Sequence, residues 1–148
     1  MDFPALIADE MDPPDGFTDA IGADPVRFLR AIKNMAVFET EAQVRAITPD
    51  FDYIAGLQGM GLIITAPGDA SDCASRYFAP QLGIDEDPVT GSAHCTIVPY
   101  WAARLGKSQI HARQVSARGG DLFCQLDGDR VRLGGQAVGF LSGRINLP

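Results

Sequence analysis

The period of the apolar positions changes several times along the chain, and each change marks an element. MDFPALI, at the start, has β-type residues interrupted by Pro4, which predicts an edge or first strand. DEMDPPDG follows as a turn-rich connection. Residues 18–21 predict a short helix stopped at Gly22. Asp24-Pro25 then reads as a helix start, an acid at the N-cap followed by proline at the first helical position. The predicted helix sets Phe28, Leu29 and Ile32 on one face, with Arg27, Arg30 and Lys33 largely on the other. MAVFET, residues 35–40, predicts a strand, whereas residues 41–46 are ambiguous. Pro49-Asp50 opens a further short helix through Tyr53, Ile54 and Leu57, ended by Gly59 and Gly61. LIITA (62–66) and CASRYF (73–78) predict strands, the first of them buried.

The longest apolar segment follows Gly91-Ser92. From residue 93 to residue 105 its ionisable groups of ordinary charge are His94 and Arg104, and Gly106 supplies a stop signal. A helix that is apolar nearly all round must be wrapped by protein. Pro99 lies inside it and removes one i→i−4 bond, which predicts a bend near the Cys95 carbonyl. Beyond it QIHARQV, LFCQLDG, RVRLGGQAVGF and GRINL read as short β-segments, with Asp127-Gly128 as a hairpin turn. Strands, a central buried helix, then more strands predict an α+β fold: a mixed or antiparallel sheet rolled around one helix.

Composition narrows the range of functions. The 148 residues suit one domain with a single core, and 46% of them are apolar. A net charge of -7 without any extended basic cluster argues against nucleic acid as a partner. Cys73, Cys95 and Cys124 are widely spaced and form no CxxC pair, so reduced thiols are expected, with no disulfide framework and no metal site. The N-terminus has no basic, leader-like region and the apolar runs are too short for a membrane span, giving an expectation of a cytoplasmic protein without a membrane partner.

Candidate chemistry concentrates where EDPVTGSAH meets the apolar helix. The first N–H groups of a helix starting near Ser92 lack intrahelical partners and sit at the positive end of the helix dipole. Glycine at 91 would let a ligand approach the backbone, so a carboxylate or phosphate could bind there. Thr90 and Ser92 could each contact that anion, or one of them could merely cap the helix with Asp87 supporting its first turn. Asp87-Pro88 holds a carboxylate at the rim, where a raised pKa would suit acid–base work or a hydrogen bond to substrate. Ser92 and His94 are too close in sequence for a nucleophile–base pair, and no GxSxG elbow is present. The glycines of GDRVRLGGQAVG lack the strand–GxGxxG–helix order of a dinucleotide site. Arg118, before Gly119-Gly120, could reach a carboxylate bidentately.

The segments EDPVTGSAH, RYFAPQLGI, PYWAARLGK and QVSARGG, together with MDFPA and TPDF, resemble the PhzF-type phenazine-biosynthesis isomerase/epimerase family. The resemblance spans essentially all of residues 1–148 but corresponds to the second, C-terminal domain of that family. It implies one half of a diaminopimelate epimerase-like fold, in which two similar domains, each a sheet rolled around a helix, enclose the site between them.

The activity implied is cofactor-independent proton transfer on a small substrate, with a glutamate of the first domain as general base. On the same basis Gly91, Ser92 and Asp87, with Thr90 as a weaker addition, contact the substrate and its carboxylate. The first domain has no counterpart in these residues, so the expectation is a half that is inactive alone. Its partner would be a separate first-domain chain or a second copy of itself. The alternative is a non-catalytic module that binds small carboxylates as a homodimer.

Overall fold

The computed structural model describes residues 1–146. Ten strands form one mixed sheet: β1 (Asp2–Pro4), β2 (Asp9–Met11), β3 (Arg27–Arg30), β4 (Asn34–Val37), β5 (Leu62–Pro67), β6 (Cys73–Ala79), β7 (Ile84–Glu86), β8 (Gln109–Gln114), β9 (Gly120–Asp127) and β10 (Arg130–Gly134). Helices α1 (Phe17–Ile21), α2 (Glu41–Ala46) and α3 (Phe51–Gly56) are short, whereas α4 (Gly91–Leu105) is the long one. The order across the sheet is β1-β10-β9-β8-β6-β5-β4-β3-β2, with β7 joined to β6. Strands β1 and β2 are consecutive in the chain yet occupy opposite ends of that order. Residues 5–8 bridge the two ends across α4, which closes the roll.

The apolar pattern follows from two cores on either side of the sheet. Ala93, Ile97, Val98 and Trp101 of α4 pack inside the roll against Leu29, Met35, Ile63, Tyr77, Ile110, Leu122 and Val131. Outside, Phe17, Val44 and Ile54 of the short helices cover Phe28, Ala36, Leu62, Ile64 and Phe78. Strand β5 is therefore covered on both faces, which is why it reads as a continuous apolar run. In β8 and β9 alternation survives: Ile110, Ala112 and Gln114 point inward and are buried, as are Leu122 and Cys124.

The sequence expectation fails over residues 25–33, which form a β3–β4 hairpin and not a helix. Asp24-Pro25 precedes a strand. The adjacent pair Phe28-Leu29 decides the matter, because a strand sends them to opposite faces and each face has a core waiting: Phe28 lies in the outer core and Leu29 in the inner one. Ile32 falls in the turn, half exposed. Part of the expected connection, Asp9–Met11, is strand β2 paired with β3. The ambiguous stretch 41–46 is helical, because Thr40 and Gln43 form a capping box. No strand occurs over residues 135–146, so the GRINL segment is not one as far as it is described; its Leu147 lies outside the described residues.

The central helix forms where it was expected, and most of it is buried. It is buried from Ala93 through Pro99, and Trp101 donates its Nε1–H to Thr65 Oγ1 at 3.0 Å. Pro99 has no N–H to give the Cys95 carbonyl; the Leu6 N–H takes its place at 2.9 Å. The strap that closes the roll is thus hydrogen-bonded to the carbonyl that proline vacates. No helix among the described residues is long and apolar enough to cross a membrane.

Candidate functional site

The N-terminal end of α4 lies at one mouth of the roll. Strand β6 ends there, β7 pairs back onto it through Phe78 and Glu86, and the Asp87 N–H donates to the Tyr77 carbonyl at 3.0 Å. From that point the chain turns into α4 through Pro88, Val89 and Thr90. The acids of the approach divide by task. Asp85 is exposed. Glu86 accepts two hydrogen bonds from Arg76, at 2.8 and 2.9 Å, and Arg76 also donates to the carbonyls of Val44 and Ile47. That pair fastens β6, β7 and the end of α2 together. Glu86 is scaffold, and Asp87 alone of the run bends inward to the turn.

Asp87 Oδ2 accepts the Thr90 hydroxyl at 2.7 Å. Gln114, fully buried at the end of β8, ties the same turn from below. Its Oε1 accepts the Thr90 N–H at 2.7 Å, and its Nε2 donates to the Asp87 carbonyl at 2.5 Å and to Thr90 Oγ1 at 3.2 Å. Ser116 donates to the Pro88 carbonyl at 2.7 Å and receives the Gly119 N–H at 3.0 Å. Gly120 is close-packed: a Cβ there would come within 2.6 Å of Val89 Cγ2. The turn is therefore held by residues from three separate segments, which is what fixes the Asp87 carboxylate in place.

Thr90 occupies the N-cap position but its side chain caps nothing, because its hydroxyl is engaged with Asp87. The two roles left open by the pattern thus resolve differently for Thr90: it neither caps nor faces solvent, and it is buried. The first turn of α4 carries no acidic residue and no side-chain cap. Ser92 is exposed and Gly91 half-buried, so their backbone N–H groups are presented to the mouth. A Cβ at Gly91 would meet Leu133 Cδ1 at 3.6 Å, an ordinary contact, so packing does not demand glycine here. A cavity of about 480 Å³ lies against this end, lined by Gly91, Val89, Arg118, Gly120 and Leu133 among others. Asp87, Thr90, Gly91 and Ser92 are thereby brought together at one end of α4. A larger depression, about 750 Å³, lies around His111 and Phe123 of β8 and β9, and its lining does not include the turn.

Beneath the turn, His94 is wholly buried. Its Nδ1–H donates to the Thr90 carbonyl at 2.7 Å, which leaves Nε2 as an acceptor without a partner. Burial pushes its pKa down to about 4, partly offset by the Thr90 hydrogen bond, so the ring is neutral near pH 7. Cys73, Cys95 and Cys124 are free and buried. Burial raises all three thiols, Cys124 to about 12, which makes them core residues and poor nucleophiles. The sequence pattern did not single out Gln114 as a support of the turn. Its inward position in the β8 alternation, beside Ile110 and Ala112, was the available signal.

Residues 25–143 match the phenazine biosynthesis-like protein family. The chain belongs to that family. It is 49% identical over 148 residues to an uncharacterized isomerase of Pseudomonas aeruginosa, an alignment covering 99% of this chain and 57% of the relative. A crystal structure of a PhzF-family phenazine biosynthesis protein from Enterococcus faecalis superimposes with a TM-score of 0.88 at 40% identity, over 91% of this chain and 52% of that one. A PhzC/PhzF protein of Clostridium difficile gives the same TM-score at 36% identity, over 99% of this chain and 57% of that one. The chain thus spans a little over half the length of these three relatives, and its rolled α+β sheet is the fold of the PhzF family.

Proposed function

We propose that this chain binds the carboxylate of a small substrate at the N-terminus of α4, as the carboxylate-holding half of a cofactor-independent, proton-transferring isomerase. One observation carries the reading. The first turn of α4 is left without a side-chain cap because the Thr90 hydroxyl is committed to Asp87, so backbone donors and a fixed carboxylate share one mouth. Preorganised N–H donors at the positive end of a helix favour an anion, and they need no rearrangement to receive it. Ser92 adds an exposed hydroxyl beside them. Asp87 stands where it can accept a hydrogen bond from a hydroxyl or amine on the substrate carbon next to the carboxylate.

Moving a proton between carbons needs a second acid–base group and surroundings closed to water. The reading assigns that group to a further domain or a partner chain that completes the cleft, in keeping with the share of its relatives that this chain spans. If the mouth binds carboxylates and no completing partner confers isomerisation, the protein is a binding module instead.

Gly91→Ala is a selective probe, because the added methyl meets only an ordinary contact and would stand in the cavity. Calorimetric titration with small carboxylates should show binding by the wild type, at least about tenfold weaker binding by Gly91→Ala, and weakening by Asp87→Ala. Addition of a first-domain chain should then give solvent deuterium uptake into a bound substrate. Equal carboxylate affinity in wild type and Gly91→Ala would refute the site.

A further inference from the structure

Lys33 has a mostly buried side chain and no anionic partner. It is 6% exposed, at the β3–β4 turn, and no carboxylate among the described residues lies within ion-pairing distance of it. The other basic side chains meet a carboxylate, are hydrogen-bonded by neutral groups as Arg30 is, or are exposed. An ammonium at the end of a mostly buried side chain, with no carboxylate beside it, is free to pair with an anionic ligand.

Lys33 lies at the end of the sheet where β6 ends, because Asn34 of β4 is in register with Leu62 of β5, and Leu62 with Phe78 of β6. The ammonium lies 5.6 Å from the centroid of the Tyr77 ring, and Tyr77 is the residue whose carbonyl receives the Asp87 N–H. On its other side is Cys95, one turn below Gly91, close enough that the ammonium and the thiol perturb each other's ionisation. Burial holds the Lys33 ammonium below the usual lysine range, partly offset by the neighbouring Cys95. Lys33 thus lies over the Tyr77 ring and near Cys95 of α4.

We propose that Lys33 is a specificity-determining residue of the α4 mouth, selecting a small acid with two anionic groups: one at the helix N-terminus, the second on the Lys33 ammonium. The proposal rests on the carboxylate-site reading above and adds the class of substrate, a dianion. A monoanion leaves the ammonium unpaired, whereas a second carboxylate pairs it.

The test compares succinate with butyrate, acids of equal chain length that differ in the second carboxylate. Binding is followed by calorimetry and by the amide shifts of Gly91, Ser92 and Ala93. The wild type should bind succinate about tenfold or more tighter than butyrate. Lys33→Met should lower succinate affinity to that of butyrate and leave butyrate within about twofold, while Lys33→Arg should keep the preference. A second measurement does not depend on the variants. Raising the pH of the wild type through the lowered range of the ammonium should abolish the preference and spare butyrate binding.

A preference for succinate that survives Lys33→Met, or that persists at alkaline pH, overturns the Lys33 assignment. Equal binding of both acids by the wild type overturns it as well and leaves the carboxylate site standing. If neither acid moves the α4 amides, the site itself fails and the proposal falls with it.

Discussion

Acidification below about pH 6.5 should destabilise this fold through His94. In the unfolded chain the imidazole takes a proton near its ordinary value of 6.5, whereas in the folded chain burial holds the value at about 4. The unfolded state therefore binds more protons between those values, and stability rises with pH across the window. The His94 contribution is complete above about pH 6.5 and lost progressively as pH falls towards 4. The gap corresponds to about 3 kcal/mol, a large part of the stability of a domain this size. The structure explains why protonation is resisted. Nε2 has no acceptor to meet, and the new charge would stand at the positive end of α4. Urea unfolding of wild type and His94→Asn at a series of pH values from 7 to 4.5 measures the effect. Asparagine keeps a donor for the Thr90 carbonyl and cannot titrate, so it should be the less stable protein at pH 7 and should lose stability more slowly on acidification. Carboxylates act on both proteins alike, so the difference in slope isolates the histidine. Parallel stability curves would refute the argument.

Two further substitutions test the scaffold of the turn. Gly120→Ala forces a methyl within 2.6 Å of Val89 Cγ2 and should cost about 1–3 kcal/mol in thermal unfolding, together with weaker carboxylate binding as the turn shifts. Gln114→Leu removes the acceptor of the Thr90 N–H and the donor to the Asp87 carbonyl, and should cost roughly 2–5 kcal/mol, with Asp87 losing its fixed position. Carboxylate affinity unaltered in a folded Gln114→Leu protein would show that the turn does not need this support.

Much of the fold was legible because one constraint dominated. A helix with almost no polar face has to be wrapped, and short β-segments on both sides of it in the chain are what can wrap it. Residues 25–33 were misread because the proline signal and an apolar spacing compatible with one helical face are local, while the choice between helix and hairpin was set by cores on both sides of the sheet. That error also hid Lys33. On the expected helix it belonged to the solvent face; in the β3–β4 turn it folds inward over Tyr77. At the α4 turn, the motif disclosed which residues meet, but not how they divide their work. Whether Thr90 caps the helix or bonds Asp87 depends on Gln114 from β8, which is a neighbour only in three dimensions.

The same tertiary dependence bears on what the mouth can do. Pro99 marks a carbonyl that needs a donor, and the donor is Leu6, in the strap joining the two ends of the sheet. Helix and strap are therefore locked together at Cys95, one turn beyond Gly91, and Gln114 and Ser116 tie the turn from β8 and the loop after it. A site built on fixed backbone donors gains its selectivity from charges whose positions do not adapt to the ligand. Asp87 is held in that way by Thr90, and Lys33 by its burial against Tyr77. On the proposed reading, an acid entering this mouth would meet helix donors, one carboxylate and one ammonium, so the placement of its own charges, more than its shape, would decide whether it stays.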